Sequence, residues 1–386
     1  MVDAHVSGAC EEIRKGSSPF FGSYVYLNCF LHPSESISEM TEIFFFTRQG
    51  NISTKFFMYH TIENEVFMNI LIVIDALEFK YFEFNDLVTN FWLIKEFLER
   101  GFKVAVTLKH KLFIKNSKGF CFAYETKLEN GNIFRSDEYS QKEINEFETV
   151  FFRPDPPVDV NYLNACHVFD FVDKTKTRII NDPWSVAAFN EKIHTNLFPE
   201  FIPESVITAD KTVIHDFLDE IPEAVIKPLN RCFGSGIFKL KKGDANTNAI
   251  IDTATSNGTT MVCVQKYLGN GGDKRAFIIG NKVFDFSLRK LPGKEDFRFN
   301  THSDEFFKAE ILTPEELRAS ETIAEYLNAN GMPVAALDII EGKVTEINVT
   351  SPCFFIRETN RLFGIKFQDM IMPELLKFTK QTEGVR

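Results

Sequence analysis

Near its C-terminus the chain runs Ala336-Leu-Asp-Ile-Ile-Glu-Gly-Lys-Val-Thr-Glu-Ile-Asn-Val349, two carboxylates and an amide set among apolar residues. Read as two antiparallel strands around the turn Glu341-Gly342-Lys343, this sets Ile340 opposite Val344 and Asp338 opposite Glu346. Asn348 then shares their face. Facing residues have Cβ atoms about 5 Å apart, so two like charges need a neutralising partner. An all-oxygen set selects Mg2+ or Mn2+, and Mg2+ completes its shell from phosphates and water. The hairpin points to a nucleotide-phosphate site; a solvated, charged hairpin face is the other reading of the same residues.

Cations recur upstream. Ala224-Val-Ile-Lys-Pro228 ends an apolar strand on Lys227, and a buried ammonium is costly without an anionic partner. The loop after it, Asn230-Arg-Cys-Phe-Gly-Ser-Gly236, offers backbone amides at Gly234 and Gly236 that suit a phosphate, although two glycines between strands also make a plain turn. Val262-Cys-Val-Gln-Lys-Tyr-Leu268 reads as a strand leaving its sheet at Gly269, and Asp273-Lys-Arg275 begins another. Arg275, Arg298 and either Arg289 or Lys290 add donors for phosphate or carboxylate oxygens. Singly, each of these residues reads as a surface charge, Lys192 included. Together with the hairpin they read as a site.

The elements that must position these groups fall into two patterns. Met68-Asn-Ile-Leu-Ile-Val-Ile74 is a buried strand, Asp86 to Arg100 an amphipathic helix stopped by Gly101, and 102–108, 148–152 and 177–181 further strands. Strand–helix–strand alternation predicts a parallel sheet with helices on its faces. Beyond Pro183 a helix is expected from Trp184 to about Phe198. Hairpins follow, pairing 223–227 with 236–240 and 276–279 with 282–286. Thr313-Pro-Glu-Glu316 is a capping box with Pro at the first helical position, so a helix is expected from 314 to about 329.

Composition bounds the function. The 386 residues are 44% hydrophobic and 25% charged, room for two or three globular domains. Net charge is −11, which excludes a general nucleic-acid binder. The apolar run Ile70–Ile74 is far short of the ~18 residues of a membrane span. The 7 cysteines show no CxxC and the 8 histidines no HxxxH, so neither a disulfide framework nor a zinc site is expected and a cytoplasmic setting is. Phe is frequent, 42 residues, and reads as core. Residues 1–67 carry Glu11 and Glu12 where a signal peptide would be apolar. They are expected to be an N-terminal extension, disordered or not native, or a strand-rich appendage without chemistry.

The strings Arg153-Pro-Asp-Pro-Pro157, Asn190-Glu-Lys192, Ile226-Lys-Pro-Leu229, Gln265-Lys-Tyr-Leu268, Asp273-Lys-Arg275, Leu337-Asp-Ile-Ile340 and Thr345-Glu-Ile-Asn-Val-Thr-Ser-Pro352 occur in that order. In these the chain resembles the prokaryotic-type glutathione synthetases, members of the ATP-grasp ligases, over about 68–378. The resemblance implies an α/β plus α+β chain: a doubly wound N-terminal substrate domain over 68–190, then a two-subdomain ATP-grasp fold over 191–380. It implies that Lys192, Lys227 and the Gly234–Gly236 loop hold ATP phosphates, that Gln265, Lys266, Tyr267 and Leu268 read adenine, and that Asp273 lies by the ribose. Arg275 and Arg298 would act at the reacting phosphate. Asp338, Glu346 and Asn348 would bind two Mg2+ ions with ATP. Arg153, Lys290, Asn300 and Arg357 would face the peptide and amino-acid substrates. The implied reaction is amide formation through an acyl phosphate, and a homo-oligomer accords with the family.

The departures from the family pattern cluster in loops. Arg231, Cys232 and Phe233 occupy part of the phosphate loop, Asp304-Glu305 replaces a glycine pair, and Cys353-Phe-Phe355 makes the turn before Ile356-Arg-Glu358 about one residue longer. Charged residues at 304 and 305 deny the close backbone approach that glycines allow. Three readings stay open at this point: a glutathione synthetase, a related ligase with another peptide or amino acid, and a catalytically silent nucleotide-binding protein.

Overall fold

The computed structural model describes residues 16–17, 24–29, 39–46, 52–60, 68–232, 234–269, 271–292 and 306–379. The chain divides into two compact units, Met1–Phe67 and Met68–Arg386. In the first, Gly16–Ser17, Tyr24–Cys29, Glu39–Phe46 and Ile52–His60 pair antiparallel in chain order. The expectation of a disordered or non-native extension concerns this segment, of which these strands are the described part.

The second unit opens with the expected parallel strands. Lys103–Leu108, Asn69–Ile74, Thr149–Phe152 and Arg178–Ile180 lie side by side in that order. Side chains alternate across a strand, so the two faces take different partners. Ile70, Ile72 and Val106 meet Phe91, Ile94 and Phe97 of the helix Thr89–Glu99. Leu71, Val73 and Val150 meet Tyr162, Ala165 and Cys166 of the helix Val160–Val168 on the other face. The sheet is thus doubly wound, covered on both sides as a parallel sheet requires.

The sequence reading missed an antiparallel extension of this sheet. Lys118–Glu129 pairs with Lys103–Leu108 and carries Leu112–Lys115, Asn132–Arg135 and Ser140–Glu143. Two-residue turns make it: Asn116-Ser117 and Asn130-Gly131 all have positive φ, the geometry that suits right-twisted hairpins.

Two expected helices are shorter. The first begins at Thr89, because the Asn85 side chain takes the Leu87 N–H in a preceding turn. The second spans only Pro183–Ala188, capped by Asp182. It ends where the Asn190 carboxamide accepts the N–H groups of Lys192 and Ile193 and donates to the Leu229 carbonyl. A local side-chain acceptor of this kind competes with helix continuation. The turn it makes carries Glu191 and Lys192.

Two antiparallel sheets complete the chain. One has the order Ser205–Thr208, Val262–Lys266, Glu223–Pro228, Phe238–Lys241, with a core of its own made by Ile214, Leu218, Ile226, Leu240, Ile251 and Val264. The other has the order Phe307–Ile311, Phe286–Lys290, Asp273–Ile279, Val334–Ile340, Lys343–Asn348. Helix Pro314–Ala329, with the predicted Thr313/Glu316 capping box, packs Ile323 and Leu327 into the cluster that holds Leu71 and Leu337. Phe277 and Phe367 join the cluster of Phe97 and Ile72. The doubly wound sheet and the last sheet therefore share both apolar cores. No helix among the described residues is long and apolar enough to cross a membrane.

Candidate active site

The carboxylate hairpin turns through Glu341-Gly342, both with positive φ, and Ile340 pairs with Lys343. The expected three-residue loop, with Ile340 opposite Val344, is corrected to a two-residue one. A two-residue loop by itself would put Asp338 and Glu346 on opposite faces. The strands shift register between Asp338 and Ile339, leaving Thr345 as the extra residue of a bulge, and Asp338 pairs with Glu346 after all. Asn348 follows opposite Ala336 and donates to the Asp338 carboxylate at 3.4 Å.

Cations surround this hairpin. Arg275 is directly opposite Asp338 on the neighbouring strand, and its Nε and Nη2 donate to the two carboxylate oxygens at 2.8 Å each. The Lys290 ammonium lies 2.5 Å from Asp273 and 3.6 Å from Asp338. Burial alone would raise the Asp338 pKa; Arg275 and Lys290 outweigh it and hold the carboxyl below its usual range. Asp273 is pushed up to about 6, first by burial and then by repulsion from Asp338. From the other side Lys192 donates to Glu346 at 2.7 Å and to the Arg231 carbonyl at 3.0 Å. Burial lowers its pKa, but Glu346 wins and the ammonium is held charged.

All of these side chains but Lys192 line a cleft of about 710 Å³ between the two antiparallel sheets. Lys227, Gly234, Gln265, Lys266, Tyr267 and Leu268 stand on one side and Asp273, Arg275, Lys290, Asp338, Glu346 and Asn348 on the other. Val225, Ile237, Leu268 and Ile340 add apolar surface. Lys227 donates to the Gln265 carboxamide at 2.9 Å, a neutral partner that leaves its charge available. The structure thus brings together most of the residues singled out from sequence. Lys192 reaches the site from behind Glu346. Gly236, with φ +76°, shapes the loop against Pro228. Arg153 is buried against Asn90 and donates to the Pro352 carbonyl at 3.0 Å, so it supports the 351–355 turn from beneath. Arg357 pairs with Glu358 at 2.7 Å. Arg298, Asn300, Phe233 and the Asp304-Glu305 pair lie outside the described residues.

Four wall or support residues were not singled out from sequence. The Glu191 carboxylate accepts the N–H groups of Val349 and Thr350, which fixes the strand end beyond Asn348. Asp155 lines the cleft from the N-terminal domain, and burial first, then Asp75, pushes its carboxyl up to about 6. Phe355 and Glu358 line it beside Arg275. Asp155, Glu191 and Glu358 sit inside strings quoted for their neighbours. Phe355 falls in the lengthened turn.

The donor chemistry fits a hard divalent cation. Two carboxylates and a carboxamide from paired strands line one end of the cleft, side chains whose ligating atoms are oxygens, with no His or Cys among them. Among the described residues no three His, Cys, Asp or Glu side chains converge. An ion here would therefore draw the rest of its shell from a ligand and water.

The sequence model described as "Prokaryotic glutathione synthetase, N-terminal domain" matches residues 68–186, and "Prokaryotic glutathione synthetase, ATP-grasp domain" matches 191–364. The chain is 34% identical over 250 residues to the glutathione synthetase of Synechococcus elongatus, covering 64% of this chain and 77% of that one. It is 30% identical over 303 residues to the glutathione synthetase of Buchnera aphidicola, covering 77% and 93%. In fold it is similar to D-cycloserine synthetase DcsG, with TM-score 0.54 at 14% identity over 81% of this chain and all (100%) of that one. It is similar also to D-alanyl-alanine synthetase A from Vibrio cholerae, with TM-score 0.51 at 14% identity over 81% and 98%. The order of the motifs, the facing carboxylates in a cleft between two sheets and these matches agree, and the chain belongs to the prokaryotic glutathione synthetase family.

Proposed function

We propose that this chain is an ATP-dependent carboxylate–amine ligase that joins γ-glutamylcysteine to glycine, releasing ADP and phosphate. The observation that carries the reading is the pairing of Asp338 with Glu346 in one cleft with Lys227, Arg275 and Lys290. In this reading the apolar surface of Val225, Ile237, Leu268 and Ile340 receives adenine, and the backbone of 265–268 reads its edge. Asp273 faces the ribose. Lys227 and Lys192 bind phosphate oxygens, and the amides of the Gly234 loop cover them. Bound with ATP at Asp338, Glu346 and Asn348, two Mg2+ ions would neutralise triphosphate charge and polarise the γ-phosphate.

The peptide carboxylate attacks the γ-phosphate to give an acyl phosphate and ADP; the amine then displaces phosphate. Arg275, held in place by Asp338, sets its remaining donors toward the transferring group. The site's contribution is position and field, so no protein nucleophile is needed. Residues 68–190 supply the peptide side of the cleft through Asp155 and Pro156, and 191–380 the nucleotide side. The proposed setting is the cytoplasm, where ATP is supplied and thiols stay reduced; Cys121, Cys166, Cys232, Cys263 and Cys353 are free.

The test is phosphate release by the full chain with ATP, Mg2+, γ-glutamylcysteine and glycine. Glu346→Gln is expected to abolish turnover and retain a cooperative thermal transition. Wild-type turnover in that variant would remove the site assignment. Turnover with another amine or peptide but none with this pair would overturn the substrates.

A further inference from the structure

Phe355 breaks two local rules. It has φ 45° and ψ 49°, the left-handed region that bulky side chains avoid. It is also the N-cap of the helix Ile356–Phe363, where Ser, Thr, Asp or Asn would bind a free N–H, and its side chain makes no cap hydrogen bond. Strain of this kind persists where the surroundings demand it, and it gathers at functional sites. What the conformation achieves is the placement of the ring. Phe355 lines the cleft with its centroid 5.3 Å from the Arg275 guanidinium and 5.9 Å from the Lys290 ammonium, packed on Phe307 at 5.2 Å.

Arg275 marks the reacting end of the substrates, a placement that rests on the function proposed above. The ring is therefore beside the carbon that the amine must attack. The donor peptide's own ammonium is remote from that carbon, roughly two residue lengths or about 7 Å away. The group crowded by Phe355 is the incoming amine. One turn along the same helix, Glu358 lines the cleft at 2% exposure. Arg357 holds one of its carboxylate oxygens, and the other has no hydrogen-bond partner among the described residues. A buried carboxylate with an unused oxygen suits the ammonium of an amino acid.

We propose that Phe355 forms the wall of the amine-acceptor subsite and restricts the acceptor to the smallest amino acids. The Cys353-Phe-Phe355 turn, where the sequence departs from the family pattern, is then the segment that sets acceptor size.

The experiment compares glycine with L-alanine and L-serine as acceptors, using full-length wild type and Phe355→Ala with ATP, Mg2+ and γ-glutamylcysteine, and products identified by mass. The variant is expected to raise kcat/KM for alanine or serine relative to glycine by about tenfold, the scale of discrimination by one methylene. ATP affinity, read by calorimetry, should change less than twofold. An unchanged acceptor ratio overturns the proposal. So does a variant whose altered preference is for the donor peptide, tested with γ-glutamylalanine, rather than for the amine. Phe355→Gly, which relieves the left-handed backbone, reads the same ratio if the alanine variant does not fold. A wild type that joins no amine overturns the ligase reading and this one with it. An active wild type with an unmoved ratio overturns this one alone.

Discussion

Arg275 and Asp338 face each other on neighbouring strands, and the guanidinium holds both carboxylate oxygens at 2.8 Å. The pair is buried, and it sits where the nucleotide and metal ligands are proposed to meet. Replacing Arg275 with Met leaves Asp338 charged with Lys290 as its remaining close cation. The expected loss is about 3–5 kcal/mol of stability, the cost of stranding one partner of a buried pair. Turnover should fall by about two to three orders of magnitude. Urea unfolding and phosphate release measure the two effects. Arg275→Lys should recover stability more than turnover, since one ammonium cannot reproduce the two-pronged contact.

The bulge at Thr345 makes a sharper prediction. It restores the facing of Asp338 and Glu346 that the two-residue turn would otherwise destroy. Inserting one alanine after Thr345 should slip the strand by one residue and send Glu346 to the opposite face. Turnover is expected to drop by at least about 100-fold. Thr345→Ala keeps the chain length and should stay within a few-fold of wild type. Steady-state assays on the two variants separate register from side chain.

Glu191 lines the cleft and supports the strand end beside it. Its carboxylate accepts the Val349 N–H at 2.8 Å and the Thr350 N–H and hydroxyl at 3.1 Å. Glu191→Ala orphans these donors, at about 1–3 kcal/mol for each buried group left unpaired. Glu191→Gln keeps an acceptor oxygen and should lose less. Chemical denaturation of both variants checks the order.

Acid titration gives a further prediction. Glu78 hydrogen-bonds Asn90, which in turn holds Arg153. Burial, followed by repulsion from Asp155 and Asp75, raises its carboxyl from 4.5 to about 7, against the opposing bond from Asn90. The folded chain therefore binds this proton more tightly than the unfolded one. The stability Glu78 contributes is full below 4.5 and is lost as pH climbs toward 7. The slope is at most about 1.4 kcal/mol per pH unit. Glu78→Gln should remove that slope, so wild type loses stability relative to the variant as pH rises. Urea titrations across the window read the difference.

Much of the site was legible because it is written in adjacent strands. Asp338 opposite Glu346 follows from period-two alternation, and the 314–329 helix announces itself through Thr313, Pro314 and Glu316. The turn that makes the hairpin was misread, since a two-residue turn with a bulge and a three-residue loop give the same facing pair. The short helix at 183–188 was over-extended because apolar spacing continues past Phe189. The side chain that stops it, Asn190, is tied to Leu229, far along the chain. Glu191, Asp155 and Phe355 gain their roles from partners distant in sequence, which local patterning does not register.

The sheet built from 205–208, 223–228, 238–241 and 262–266 closes its own small core, whereas the two larger apolar clusters stitch the doubly wound sheet and the sheet of the carboxylate hairpin into a single block. Nucleotide exchange then calls for a swing of that one piece, like a jaw on a fixed base. The floor bearing Asp338, Arg275 and Phe355 is expected to keep its shape through such a swing, with little oily surface wetted when the jaw lifts.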